Sequence, residues 1–175
     1  VDFPPPNADY DSKAADKDKK LLTGLVGLRK WQPSHVMMVD ADDCISRRLA
    51  EHVGRNPNKN GWYCETGYEY EDGGDTIVYR KEGFYCVCGT SNVIAYKLFT
   101  LPETLPPFEE MVEYDRFMGG HACAKPDLAE RGTPLEALPF PERFHVFRRA
   151  VNVRRIFLDP GERRKARGQT LRLKT

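Results

Sequence analysis

The feature that most constrains the fold is a short apolar run that ends at a cluster of acids. Residues 35–46 read HVMMVDADDCIS, so the apolar stretch stops at Asp40, Asp42 and Asp43. An uninterrupted apolar run of this length is typical of a central parallel strand covered on both faces. Two carboxylates about 5 Å apart repel by roughly 3 kcal/mol at an effective dielectric near 20, so the cluster predicts a bound divalent cation. The alternative interpretation is that the acids cap the next helix and solvate a strand end.

The residues around this run predict helices and antiparallel strands. Apolar positions at helical spacing indicate an amphipathic helix over about 13–30, and SRRLAEHVGRN indicates a short helix with Ser46 as its N-cap. The alternating GWYCETGYEYE, followed by DTIVYRK, predicts a β-hairpin with a glycine turn. FYCVCG and NVIAYKLF predict a further strand pair, and FEEMVEYDRFM predicts an acid-rich helix that ends at Gly119 and Gly120.

Length and composition predict one domain. The chain has 175 residues, of which 40% are hydrophobic and 30% are charged, as in an ordinary globular protein. We expect a single domain over 1–158 and a basic tail over 159–175, where six basic residues accompany two acids. The net charge of +1 argues against a nucleic-acid partner, and no apolar run approaches the roughly 18 residues of a membrane span.

The termini and the cysteines bear on the cellular compartment. The acidic, proline-rich start VDFPPPNADYD does not resemble an export signal, and the odd number of five cysteines predicts reduced thiols in the cytoplasm. A small zinc site is an alternative use of part of this set. Its four ligands would be Cys86, Cys88, His121 and Cys123.

The order of these elements resembles the nucleotide-sugar glycosyltransferases of the GT-A fold, in particular the family-2-like bacterial members. The likeness lies in KLLTGL, VMMVDADDCISRRLAEHV, NGWYCETGYEYEDGG, CGTSNVI and MGGH, which together span roughly residues 16–155. The resemblance implies an α/β fold: a GT-A-like mixed sheet with a central parallel strand that ends in D-x-D, flanked by helices, plus antiparallel hairpins. It also implies transfer of a sugar from a nucleotide-diphosphate donor to a carbohydrate or other hydroxyl acceptor.

The resemblance further implies roles for individual residues. Mn²⁺ or Mg²⁺ bridges the donor phosphates and takes only one or two carboxylates from the protein. Asp42 would be the direct ligand, Asp40 would contact the ribose or a metal-bound water, and Asp43 would complete the shell through water. A late histidine often adds a ligand in this superfamily, here His145, with His121 as the alternative.

The acceptor side of the site is also implied by the resemblance. Gly89, Thr90 and Ser91 would lie near the acceptor sugar. The base that takes the acceptor proton would come from the acid-rich segment. Its candidates are Asp115, Glu113 and Glu110, with Glu109 on the same segment.

The superfamily begins with a strand-helix-strand unit that needs more chain than the 39 residues before Asp40. We therefore expect an incomplete nucleotide-binding part and a truncated sheet. The edge of this sheet is either exposed or covered by a partner chain such as a second copy. The alternative function is a catalytically incomplete GT-A-like binding or scaffold module.

Overall fold

The computed structural model describes residues 3, 5–7, 9–41, 43–71, 76–111, 115–118, 120–140, 143–147 and 169–172. Within these ranges the fold is mixed α/β. The α-helices are α1 (Tyr10–Leu28), α2 (Arg48–Arg55) and α3 (Ala124–Glu130). The strands are β1 (His35–Met37), β2 (Cys44–Ile45), β3 (Gly61–Tyr63), β4 (Gly67–Glu71), β5 (Thr76–Arg80), β6 (Asn92–Ala95), β7 (Glu136–Ala137), β8 (Arg143–Phe147) and β9 (Gln169–Arg172).

Helix α1 confirms the amphipathic helix that the sequence predicts. The Asp9 side chain accepts a hydrogen bond from the Ser12 N–H at 2.8 Å, so an N-cap fixes where the helix begins. Leu22 and Leu25 are 1% and 3% exposed, whereas the lysines of the helix line its other side. The helix therefore turns one face to the core and leaves a charged face beside the strand that follows.

The first sheet has four strands in the order β1-β6-β3-β7. β1 pairs antiparallel with β6, in the register His35 to Ala95, and β3 also pairs antiparallel with β6. The prediction that the strand before Asp40 is a central parallel strand is therefore wrong: among the described strands it is one of the two edge strands of this sheet, and it is antiparallel to its neighbour. The fully buried strand is β6, which lies between β1 and β3 and whose four residues are all buried.

The second sheet has five strands in the order β2-β8-β4-β5-β9. β4 and β5 pair antiparallel, which confirms the predicted hairpin, although its glycine turn lies outside the described residues. β8 pairs in parallel with β4, with His145 opposite Glu69, and antiparallel with β2, with Phe144 opposite Cys44. β2 therefore connects the segment after β1 to the second sheet.

The buried apolar side chains of the described ranges form two hydrophobic clusters. The first joins α1 to the segments around Phe99, Phe117 and Leu128. The second surrounds Trp62 and Phe84, which are 2% and 0% exposed. Both clusters contact β6, through Ile94 in the first and Val93 in the second, because successive side chains of a strand point to opposite faces.

Three local predictions need correction. The segment predicted as an acid-rich helix contains a single 3-10 turn, Phe108–Glu110, and no longer helix within its described residues. The predicted strand FYCVCG contains the 3-10 turn Phe84–Cys86 instead. Ser46 is not the N-cap of α2 as predicted: the helix begins at Arg48 after Arg47, and Ser46 lies one residue earlier, where its hydroxyl accepts from the Arg48 N–H at 3.2 Å.

None of the helices in the described part of the chain is both long enough and apolar enough to cross a membrane. The chain beyond these ranges, including most of the predicted tail 159–175, lies outside the described residues.

Candidate functional site

A cleft opens where β1 ends, between the charged face of α1 and the loop that follows Cys88. Its volume is about 370 Å³. Its walls combine lysine and carboxylate side chains with apolar groups. The polar and glycine residues of its lining include Asp16, Lys17, Lys20, Asp40, Gly89, Asn92 and His121, and the apolar ones include Leu21, Met38, Phe117 and Met118.

Asp40 is held at the mouth of this cleft by its backbone and by its side chain. Its N–H donates to the Thr90 hydroxyl at 2.7 Å, and its Oδ1 accepts from the Lys17 ammonium at 2.9 Å. The side chains of Asp40 and Lys17 are 37% and 49% exposed, so water competes with this ion pair. A pair of this kind contributes about 0 to 1 kcal/mol to stability.

Gly89 lies against the carboxylate of Asp40. A Cβ atom at this position would stand 2.5 Å from Asp40 Oδ2 and 3.7 Å from Lys17 Nζ. Any side chain here would push the Asp40 carboxylate out of its place. The position therefore suits glycine because the backbone and the carboxylate approach closely.

The three residues that the resemblance places near a substrate have different surroundings. Gly89 lines the cleft, whereas Thr90 and Ser91 are both fully buried. The Thr90 hydroxyl accepts from Asp40, and the Ser91 hydroxyl donates to the Tyr85 carbonyl at 3.4 Å. Thr90 thus positions Asp40, although some 50 residues separate the two in the sequence.

A second ion pair lies along α1. Lys20 donates to Asp16 Oδ2 at 2.7 Å, one turn apart, and both side chains line the cleft. Sequence reasoning assigned these lysines and acids to a solvated helix face and missed them as site residues. Their only sequence signal was the i,i+4 spacing of Asp16 and Lys20, which is common on exposed helices.

The predicted metal ligands are brought together in part. The Asp43 N–H donates to the Asp40 carbonyl at 3.1 Å, and Asp43 Oδ2 accepts from the Cys88 thiol at 3.3 Å. Cys44 pairs with Phe144, and Asp43 and His145 are the residues next to this pair in the chain. Asp42 lies outside the described residues, and of His145 only the backbone is described.

Within the described ranges, no three side chains of His, Cys, Asp or Glu are grouped so that they could hold a metal ion. Cys86, Cys88, His121 and Cys123 all lie within these ranges, and they do not form such a group there. Cys88 is fully buried and donates its thiol to Asp43.

Asp115, a predicted catalytic base, is buried and does not line the cleft. Its Oδ2 accepts from the Thr100 N–H at 2.7 Å, and its Oδ1 accepts from Arg131 at 2.7 Å and from the Thr100 hydroxyl at 3.2 Å. With 1% exposure, the carboxylate has the surroundings of a structural ion pair. Glu110 is exposed in the turn Phe108–Glu110, and Glu113 lies outside the described residues.

Comparison with known proteins finds no matching family model, no similar curated protein and no similar solved structure.

Proposed function

We propose that the cleft binds the diphosphate of a nucleotide sugar, and that the chain acts in metal-dependent transfer of the sugar to a hydroxyl acceptor. One observation carries the proposal. Asp40 and Gly89, which the resemblance assigns to donor and acceptor binding, line one cleft in close contact, and the buried Thr90 hydroxyl accepts from the Asp40 N–H at 2.7 Å.

The lysines supply a reason why phosphate would bind here. Lys17 and Lys20 both line the cleft, and both side chains are 49% exposed. Each is paired with a carboxylate, so phosphate oxygens would replace a carboxylate oxygen as the acceptor of the same ammonium group. For Lys17 this exchange costs little, because both side chains of its pair with Asp40 are solvated, whereas Asp16, the partner of Lys20, is only 13% exposed.

The cation belongs to the same proposal. Mn²⁺ or Mg²⁺ would be held by Asp40, Asp42 and Asp43 with His145, a mixed set of oxygen and nitrogen ligands that suits Mn²⁺ in particular. The pairing of Cys44 with Phe144, which are the chain neighbours of Asp43 and His145, supports this set. Such a cation neutralises the phosphates and stabilises the departing diphosphate.

The alternative is a binding module without transferase activity, and the surroundings of Asp115 favour it. The carboxylate is fully engaged with Thr100 and Arg131 and does not line the cleft. Transfer would then depend on Glu110 or Glu113 as the base. Binding and transfer must therefore be measured separately.

Calorimetric titration of the purified chain with UDP, GDP and ADP, each with and without Mn²⁺, tests the donor site. At least one nucleoside diphosphate should bind, and Mn²⁺ should tighten that binding. Asp40→Asn should weaken it by about tenfold, the loss expected for one charge-assisted contact. The matched control is Glu136→Gln, since Glu136 forms a similarly exposed pair with Lys59 and does not line the cleft.

Absence of binding by all three nucleotides, with and without Mn²⁺, would contradict the proposal. Release of free nucleoside diphosphate from a sugar nucleotide then separates the two functions. Metal-dependent release supports transfer, and tight binding without release supports the binding module.

A further inference from the structure

The floor of the cleft holds a buried amide whose oxygen has no partner. Asn92 is 6% exposed, and its Nδ2 donates to the His121 carbonyl at 2.9 Å and to the Ser91 hydroxyl at 3.2 Å. These two contacts fix the orientation of the amide. Its Oδ1 has no hydrogen-bond partner among the described residues.

Asp16, which lines the same cleft, also has a buried acceptor oxygen without a partner among the described residues. The Asp16 side chain is 13% exposed, and its Oδ2 accepts from Lys20. Its Oδ1 is buried and, within the described part of the chain, also has no hydrogen-bond partner. Both residues line the cleft at the end of β1.

Buried acceptors without partners are uncommon and destabilising, so two in one cleft call for an explanation. Both atoms are oxygens that only accept, so whatever satisfies them must present hydrogen-bond donors. Apolar groups of Leu21, Phe117 and Met118 line the same space. Donor groups beside an apolar face are the chemistry of a sugar ring, whose hydroxyls donate at the edge while its C–H groups contact apolar side chains.

We propose that the cleft selects the sugar of the donor: a neutral sugar donates hydroxyl hydrogens to Asp16 Oδ1 and Asn92 Oδ1, and an acidic sugar is rejected. The inference rests on the proposed donor site. A uronic acid brings a carboxylate, which has no hydrogen to donate to Asp16 Oδ1 or Asn92 Oδ1. Because the proposed phosphate contact takes up Lys20, the negative charge of Asp16 also repels that carboxylate. Asp16 and Asn92 are thereby specificity-determining residues.

The test uses glucose 1-phosphate and glucuronic acid 1-phosphate as probes, because neither carries a nucleobase. In titrations followed by calorimetry, the neutral sugar should bind at least about tenfold more tightly, the size of one hydrogen bond to a charged group. Equal affinities, tighter binding of the acid, or no binding of either sugar at about 10 mM would overturn the proposal.

Asp16→Asn sharpens the test because it removes the charge and offers an N–H with little change of shape. The variant should bind the acidic sugar more tightly and the neutral sugar more weakly, so that the preference falls by about tenfold or more. Asp11→Asn is the matched control, since Asp11 is exposed in the first turn of the same helix. The control should keep the preference of the parent chain, and loss of preference in both variants would contradict the role of Asp16.

Asn92→Asp gives a second measurement if Asp16→Asn folds poorly. It keeps an acceptor in place but adds a second negative charge, so the acidic sugar should be rejected more strongly than by the parent chain. An unchanged or weaker rejection would overturn the assignment of Asn92. Binding of UDP, GDP and ADP distinguishes the two proposals: nucleotide binding without sugar preference refutes only the selectivity, and sugar preference without nucleotide binding refutes only the donor site.

Discussion

Two carboxylates in this molecule form ion pairs of similar length in opposite surroundings. Asp40 pairs with Lys17 at 2.9 Å at the mouth of the cleft, and Asp115 pairs at 2.7 Å with Arg131, whose side chain is 41% exposed. The Asp40 side chain is 37% exposed, whereas the Asp115 side chain is fully buried. Asp115 also accepts two hydrogen bonds from Thr100.

The difference separates a carboxylate that can change partners from one that cannot. Displacing Lys17 from Asp40 costs little because water already solvates both groups. Displacing Arg131 or Thr100 from Asp115 would leave the buried carboxylate without the donors that satisfy its charge. Ligand chemistry is therefore expected at Asp40, and structural support at Asp115.

The largest expected effect is on stability. Asp115→Ala should lower the free energy of unfolding by about 2 kcal/mol, because it removes the hydrogen bonds that one buried carboxylate accepts from Thr100 and Arg131, and both of these partners are exposed enough for water to replace part of the loss. Asp40→Ala should lower it by at most about 1 kcal/mol. Urea denaturation of both variants measures the contrast, and equal losses would break the comparison between the two carboxylates.

The next effect is on binding at the cleft. Lys17→Met should weaken the nucleoside diphosphate by about tenfold, because it removes one ammonium contact to phosphate while leaving the helix intact. Lys59→Met is the control, since Lys59 is also 49% exposed and pairs with Glu136. Calorimetry measures the affinities and thermal melting the stability. Equal weakening in both variants would show that general charge, not this lysine, governs binding.

A smaller effect is expected from the close glycine contact. Gly89→Ala should shift the Asp40 carboxylate and weaken nucleoside diphosphate binding by about threefold, while stability changes by only about 0.5 kcal/mol, because the displaced group is the end of a flexible side chain. Gly54→Ala is the control, as a Cβ at Gly54 meets no atom within 4 Å. Unchanged binding by the Gly89 variant would place the ligand away from this contact.

The sequence predicted the elements whose signal is local. Helix α1 follows from apolar residues at helical spacing, after the N-cap Asp9. The hairpin of β4 and β5 follows from the alternation of side chains along GWYCETGYEYE. The resemblance, and not the spacing of apolar residues, predicted that Asp40 and the stretch from Gly89 belong to one site. The hydrogen bond from Asp40 to Thr90 gives that prediction a physical basis.

The elements that were wrong depend on contacts distant in sequence. The apolar run before Asp40 suggested a central strand, but its burial comes from β6 on one side and from α1 over its face. The run FEEMVEYDRFM has helical spacing, yet Asp115 bonds to Thr100 and Arg131, and Met111 and Phe117 enter the core. The local sequence pattern identifies neither the elements that cover β1 nor the partners of Asp115, because tertiary contacts override local propensity.

His35 begins the strand that leads to the cleft, and its pKa is shifted in a clear direction. Its ring stacks near Trp62 at 5.1 Å, and its Nε2 contacts the Lys59 carbonyl at 2.9 Å. Burial lowers the pKa of His35 from its ordinary value of 6.5. The charge of Lys97 also lowers this pKa, and the hydrogen bond to Lys59 opposes the shift.

The smallest expected effect is therefore a pH dependence of stability that arises from His35. Since the folded pKa lies below 6.5, the unfolded chain binds more protons between the two values, so this contribution is complete above about pH 6.5 and is lost as the pH falls through that range. His35→Gln keeps an N–H for the Lys59 carbonyl but does not titrate. Urea denaturation between about pH 7.5 and about pH 5 should show a smaller decline for the variant than for the parent chain. An equal decline in both would mean that other groups carry the pH dependence, and a steeper decline in the variant would reverse the assigned direction.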